Sequence, residues 1–323
     1  MKVLFVTNMY PTPDFIYNGI HVKEQIIYLT QKYSIDYQVE FINGRKSKLN
    51  YIKSIFSINK IIRNDNFDII HIHFGLSGLF LLFNPFIKTP TVVTLHGSDT
   101  KAGKAYGLML PITRQVVKRV KRVIIMNDSM RKLFSNHANK LIKIPCGIDV
   151  REFNIGRKNK AGTFKLGFPG NKNRPGKNFS LFKKIVDKLS AEGYQIEIIE
   201  FHNLTREEVI QNLSTLDCLL MTSLYEGSPQ INKEAMANGI PIVTTNVGDV
   251  KKILFGVSNC YVVDSFEADQ FLEPIKKIIS LKNEDRVTNG KKRIEELQLD
   301  QDTVVSKIFN VYKEIVDANE KKV

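Results

Sequence analysis

The stretch SLYEGSPQINKEAMANGIP, residues 223–241, sets the local architecture from which the rest of the chain can be read. An apolar run ends at Ser223, small residues and a proline follow at Gly227, Ser228 and Pro229, and Gly239 closes a segment of helical spacing. The pattern predicts a strand end, a tight loop, a helix from about Pro229 to Asn238 with Gly239 just past its end, and another strand. Loop amides and the first turn of such a helix make an anion site. Helical side chains lean toward the N-terminus, so Glu234 is expected to reach back past the loop that holds Glu226. A carboxylate beside a bound diphosphate is repelled by it and takes hydroxyl groups instead, such as the two of a ribose. The ligand chemistry that fits is that of a nucleotide sugar.

Outward from this stretch, short apolar and β-branched runs recur. In the first half they lie at 2–7, 35–42, 67–73, 91–96, 122–126 and 141–145. In the second half they lie at 164–170, 195–200, 217–223, 240–245 and 259–263, with helix-period or turn-like segments such as 179–190 between most of them. Strand and helix alternating in this way predict parallel sheets covered by helices. A polar, aperiodic stretch at 157–162 separates the two sets. The expected fold class is therefore α/β, with two Rossmann-like doubly wound domains, 1–157 and 163–300, facing a cleft at the carboxyl ends of their strands. Val304, Val305, Ile308, Val311, Tyr312 and Ile315 share one face of a last helix, expected over 303–318 and joined to the first domain, with Asp302 as its N-cap.

The 323 residues hold 47 Lys and Arg against 33 Asp and Glu, and the net charge of +14 favours anionic partners. Basic residues crowd 45–63 and 114–131, interleaved with Val, Ile, Phe and Tyr as in an interfacial helix, which makes anionic lipid one such partner. Nucleic acid is disfavoured, because no recognisable binding motif joins these residues. A nicotinamide oxidoreductase is disfavoured too, since VTNMYP at 6–11 stands where G-x-G-x-x-G would follow the first strand. Cys146, Cys218 and Cys260 are odd in number and widely spaced; they give neither a disulfide framework nor a thiolate zinc pattern and fit a reducing compartment. The N-terminus lacks the apolar core of a signal peptide, and no run reaches the ~20 apolar residues of a membrane span. A cytoplasmic protein, able to sit at the inner face of the cytoplasmic membrane, is expected.

With Glu226 and Glu234 in E-x7-E spacing, EGSPQINKEAMANGIP resembles the signature of the retaining glycosyltransferases of family 4, which have the GT-B fold. The resemblance implies that Glu226 lies near the donor sugar at the reaction centre and that Glu234 binds the ribose. It also implies that Gly227, Ser228, Pro229 and Gln230 meet the donor phosphates. FPGNKNRPGKNF at 168–179 is similar to the loop whose arginine and lysine clamp the diphosphate. Lys177 matches that lysine. Asn171 stands where the arginine is usual, which leaves Arg174, or Lys172, to replace it.

The remaining landmarks fall in the first half. TLHGSD at 94–99 resembles the HG.D strand end, which makes His96 a catalytic candidate. DIIHIH at 68–73 matches the D..H.H strand; His71 and His73 read mainly as packing residues, His73 being a cleft candidate as well. Gly19, in YPTPDFIYNGIHV at 10–22, aligns with the glycine loop that approaches donor phosphate and acceptor. IPCGID at 144–149 is similar to the PNG.D motif with Cys146 in place of asparagine. As a nucleophile Cys146 would need a histidine partner that the sequence does not place.

The implied function is retaining transfer of a sugar from a UDP- or GDP-linked donor to a hydroxyl acceptor, a lipid-linked glycan in cell-surface polysaccharide or glycolipid assembly. No cofactor and no metal is expected. Asp300-Gln301-Asp302, the only Asp-x-Asp, reads as a helix cap, and His71 and His73 have no evident third ligand. The departure at Asn171 leaves one alternative, a GT-B binding subunit without catalysis.

Overall fold

The computed structural model describes residues 1–97, 99, 108–153 and 163–320; the expected linker at 157–162 and Ser98 lie outside the described residues. The chain divides into two compact units. The first comprises Met1–Asp14, Asn18–Gly147 and the chain from Asp302 onward, and the second Phe15–Tyr17 and Ile148–Gln301. The division falls at Gly147, ahead of the expected residue 157. The reason is local: the Ile148 N–H donates to Leu299 O at 3.0 Å and the Gln301 N–H to Ile148 O at 2.9 Å, so Ile148 is already paired within the second unit.

In the first unit the described elements are β1 (Lys2–Thr7), α1 (Ile20–Lys32), β2 (Asp36–Phe41), α2 (Leu49–Asn64), β3 (Ile69–His73), α3 (Phe80–Phe83), β4 (Thr91–Leu95), α4 (Met109–Arg119), β5 (Arg122–Ile125), α5 (Asp128–Leu133) and β6 (Leu141–Lys143). Six parallel strands run in the order β2-β1-β3-β4-β5-β6. β3 and β4 are buried along their whole length, as expected of parallel strands covered on both faces.

The second unit holds β7 (Phe164–Phe168), α6 (Phe179–Ala191), β8 (Ile196–Glu200), α7 (Arg206–Thr215), β9 (Cys218–Met221), α8 (Gln230–Ala237), β10 (Ile242–Thr245), α9 (Val250–Ile253), β11 (Cys260–Val263), α10 (Asp269–Ser280) and α11 (Gly290–Glu296). Its five parallel strands run β11-β10-β9-β7-β8. Each sheet has a switch point where the strand order reverses, between β1 and β3 and between β7 and β9, and in such sheets ligands bind outside the carboxyl ends there.

The last helix, α12 (Gln301–Glu320), packs Val304, Val305, Ile308, Val311, Tyr312 and Ile315 into the core of the first unit. Asp302 does not cap it. The helix begins at Gln301, two residues before the expected 303, so Asp302 sits in its first turn, accepts Ser306 Oγ on its carbonyl at 2.7 Å and pairs with Lys32 Nζ at 2.7 Å.

Candidate functional site

Three loops meet at the carboxyl ends of β7, β9 and β10. The Thr222 hydroxyl donates to the carbonyls of Lys177 and Asn178, each at 3.1 Å, and the Leu224 N–H donates to Gly176 O at 2.9 Å. The Thr245 hydroxyl donates to Ser223 O at 2.7 Å. Two glycines permit the approach. A Cβ on Gly248, at φ +62°, would lie 2.5 Å from Gly227 O, and one on Gly176 would overlap the Tyr225 hydroxyl. The backbone between β9 and α8 is thereby held from both sides.

Lys177 Nζ lies 2.7 Å from Glu226 Oε1, and Ser223 Oγ donates to the same oxygen at 2.9 Å. The Lys177 stem passes over Gly170, at φ +127°, where a Cβ would stand 3.0 Å from Lys177 Cε. Lys177 follows β7 and Glu226 follows β9, so the two form a charge-compensated pair across the β7/β9 switch point. Gly227, Ser228 and Pro229 follow directly, and α8 begins at Gln230, one residue inside the expected start; Gly239, at φ +70°, closes it with its N–H on Met236 O. The Gln230 side chain accepts from fully buried Lys233 at 2.8 Å. Burial pushes the Asp249 carboxyl up, opposed by the charge of Lys233.

Glu234 does not join Lys177 and Glu226 in a contact. Its Oε1 accepts from Arg206 at 2.5 Å, while the same guanidinium reaches Glu152 Oε2 at 2.7 Å and lies 5.3 Å from the Phe153 ring. Arg206 was not among the expected site residues. The capping box of Thr205 and Glu208 fixes Arg206 in the first turn of α7, but nothing local points it to Glu234. Arg174 is exposed and contributes backbone hydrogen bonds to the loop turn, and Lys172 pairs with Glu200 at 3.8 Å. Asn171 accepts the Asn173 N–H at 2.7 Å, closing its own turn.

In the first unit, Gly19 occupies φ +72°, and a Cβ there would run into Met9 O; its carbonyl starts α1 by accepting from Val22 and Lys23. His96 follows β4. The buried carboxylate of Asp99 accepts from the N–H groups of Gly75, His96 and Gly97 at 2.9 to 3.3 Å and so fixes the turn. Burial raises Asp99 to about 6 against the pull of those backbone donors. His96 Nε2 is 3.1 Å from His73 Nδ1, and its ring centroid is 5.1 Å from that of His21. Burial, and then the neighbouring His21 and His73, hold His96 well below the usual histidine range. His71 is a packing residue: Tyr312 OH meets Nδ1, and Thr94 Oγ1 lies 2.7 Å from Nε2.

Two sequence readings are corrected here. Cys146 does have a histidine partner, His96, whose Nδ1 is 3.7 Å from Sγ. The stretch 114–131 is not an interfacial helix: it is the end of α4, then β5 and α5, and Val116, Val117, Val120, Val123, Ile124 and Ile125 are core residues. The stretch 45–63 differs. Leu49, Ile52 and Phe56 line an exposed stripe of α2, flanked by exposed Lys53 and Lys60, and Phe56 is 72% exposed. α2 packs against α3, where Asn84 donates to Asn59 at 2.7 Å, and Phe83 and the 86%-exposed Phe86 are also on the surface. No helix among the described residues is long and apolar enough to cross a membrane.

Residues 8–152 match the family model of Glycosyltransferase Family 4, and residues 174–294 that of Glycosyl transferases group 1. No curated protein matches the sequence. Among solved structures, sucrose-phosphate synthase (tll1590) from Thermosynechococcus elongatus has a TM-score of 0.78 at 13% identity, covering 98% of this chain and 99% of that one. Anabaena Alr3699/HepE in complex with UDP-glucose has a TM-score of 0.71 at 14% identity, covering 97% of this chain and 100% of that one. The catalytic domain of starch synthase IV from Arabidopsis thaliana, bound to ADP and acarbose, has a TM-score of 0.72 at 10% identity, covering 98% and 99%.

Proposed function

We propose that this chain, which has the GT-B fold and matches the Glycosyltransferase Family 4 model over residues 8–152 and the Glycosyl transferases group 1 model over 174–294, is a glycosyltransferase that carries out metal-independent, retaining transfer from a nucleoside-diphosphate sugar to a hydroxyl acceptor. The observation that carries the reading is the Lys177–Glu226 pair set against the amides that open α8. Lys177 and the N–H groups of Gly227, Ser228 and Gln230 would neutralise the charge that grows on the departing diphosphate. The bond from the anomeric carbon to the phosphate oxygen breaks, the acceptor oxygen bonds to the same face of that carbon, and the acceptor proton leaves on the phosphate. Glu226 orients the donor sugar, Glu234 takes the ribose hydroxyls with Arg206 holding its other side, and Gly19 and His96 keep the donor-side roles that the family resemblance gives them.

UDP or GDP is the proposed base carrier; HepE, of similar fold, is known in complex with UDP-glucose. The acceptor is proposed to be a lipid-linked glycan in cell-surface polysaccharide or glycolipid assembly, met at the inner face of the cytoplasmic membrane. The exposed stripe of Leu49, Ile52 and Phe56 with its lysines supports that docking. Thermal shifts with UDP, GDP, ADP, CMP and NAD test the reading. A ligand at 100 times its Kd adds about 2.7 kcal/mol, and one nucleoside diphosphate is expected to raise the melting temperature of wild type but not of Glu234→Ala. If no nucleotide does so, the donor-site assignment fails.

A second reading, a binding subunit without catalysis, is favoured by one observation: Asn171 stands in the arginine's place and turns back on its own loop, while the Arg174 side chain is exposed. Nucleotide binding without turnover of UDP- or GDP-sugars in the presence of lipid-linked acceptors would select it.

A further inference from the structure

His21 in the first turn of α1, His96 just after β4 and Cys146 after β6 come from three separate segments of the first unit. One ligand atom of each lies within 4.8 Å of the other two. Cys146 Sγ is 3.7 Å from His96 Nδ1. In a tetrahedral zinc site, bonds of about 2.3 Å to sulfur and 2.0–2.1 Å to nitrogen set the sulfur–nitrogen edge at roughly 3.6 Å. That edge is already formed. The three ligand atoms, all within 4.8 Å of one another, need to draw in by at most about 1.5 Å to reach the separations of such a tetrahedron.

The surroundings match a ligand set as well. The other ring nitrogen of His96, Nε2, is held by His73 Nδ1 at 3.1 Å, the outer contact that fixes the tautomer of a ligating imidazole. With the shared proton on His96 Nε2, His96 Nδ1 presents its lone pair toward Cys146, and His73 carries its own proton on Nε2, a buried atom with no hydrogen-bond partner among the described residues. Met126 Sδ, 3.5 Å from Cys146 Sγ, adds a thioether at the edge of the cluster. Two imidazoles, a thiol and a thioether favour zinc or cuprous ions over magnesium or manganese.

We propose that His21, His96 and Cys146 bind a zinc ion, with His73 as the outer partner of His96. The site stands on the geometry of the first unit, and His96 is the residue it shares with the transfer reading above. Three protein ligands leave the fourth position of a tetrahedron open.

Cobalt(II), titrated into the full chain kept reduced with a phosphine, is the probe. One equivalent should bind with a near-ultraviolet sulfur-to-cobalt charge-transfer band and tetrahedral visible bands, and zinc should displace it. Cys146→Ser should abolish the charge-transfer band, and Cys260→Ser should leave it intact. His21→Gln should weaken binding by more than the roughly 10- to 100-fold typical of losing an outer partner. Melting scans of each metal-free variant separate lost ligation from lost fold, and His21→Gln, at a half-buried helix start, decides the matter if Cys146→Ser does not fold. A wild type without the band, a band that survives Cys146→Ser or follows Cys260, or unchanged affinity in His21→Gln overturns the proposal. None of these readouts depends on nucleotide binding, so the two readings fail separately.

Discussion

Lys177 and Glu226 share one hydrogen-bonded contact, and among the described residues no other ion pair reaches that carboxylate. Lys177→Ala should therefore lower kcat by about 100- to 1,000-fold, the usual loss when one preorganised donor to a developing charge is removed. Steady-state kinetics with far-ultraviolet circular dichroism of the variant would check it; near-normal turnover would remove Lys177 from the leaving-group side. Gly19 makes a different demand. At φ +72°, with Met9 O in the way of any Cβ, an alanine combines left-handed strain with a backbone clash. Gly19→Ala should cost at least about 1–3 kcal/mol in a denaturant titration. His71 supplies a pH dependence. Burial, and secondarily the nearby His96, lower its pKa to about 3. It faces Tyr312 from α12, Thr94 from β4 and His73 on its own strand. Below pH ~6.5 the unfolded chain takes a proton that folded His71 refuses, so stability should fall from there toward pH 3. Denaturation midpoints at pH 7 and pH 5 measure this, and His71→Gln should reduce the difference, leaving the part that buried His73 and His96 contribute with the same sign.

At the scale of elements, Arg286 connects parts of the second unit that no local pattern links. Its guanidinium donates to Ile278 O, Ile279 O and Leu281 O at the end of α10, pairs with Asp217 at 2.8 Å ahead of β9, and lies 5.2 Å from the Phe164 ring of β7. Asp217 is 1% exposed. Arg286→Ala leaves a buried carboxylate without this charge and should cost about 3–5 kcal/mol, read as a lowered urea midpoint. The contrast with the strands shows what a sequence conveys. All eleven described strands lie within the apolar runs read from the chain, because period and composition act over a few neighbouring residues. The loop of Glu226 and the close of α8 at Gly239 were legible for the same reason. Arg206 and Arg286 were not, since their partners lie 28 and 69 residues away and nothing local selects them. The meeting of His21, His96 and Cys146 belongs with these: they lie in the first turn of α1, after β4 and after β6, and only the sheet order brings them together. The basic stretch at 114–131 misled because interleaved Val and Ile look alike whether they face lipid or a core.

For the molecule as a whole, the exposed stripe on α2 and the rings of Phe83 and Phe86 give the first unit an apolar surface bordered by positive charge. Sedimentation with phosphatidylserine-rich vesicles should retain the wild type at low salt and release it as salt screens the lysines. A Phe56→Ser, Phe86→Ser double variant should lose at least about tenfold in binding, given the 1.5–3 kcal/mol that each fully buried ring contributes. Equal retention of both proteins would leave charge alone as the attraction. The other whole-molecule feature is the place of α12. Tyr312 closes the polar contact of His71, and Val304, Val305 and Ile308 fill the core laid down by residues from the first 147. During synthesis, that core waits for the ribosome to deliver everything between Gly147 and the last helix. At 5–20 residues per second the delay is about 10 to 35 s. A nascent first unit thus leaves the exit tunnel with an open seam beside its central strands, and the second unit has time to fold before the seam is sealed.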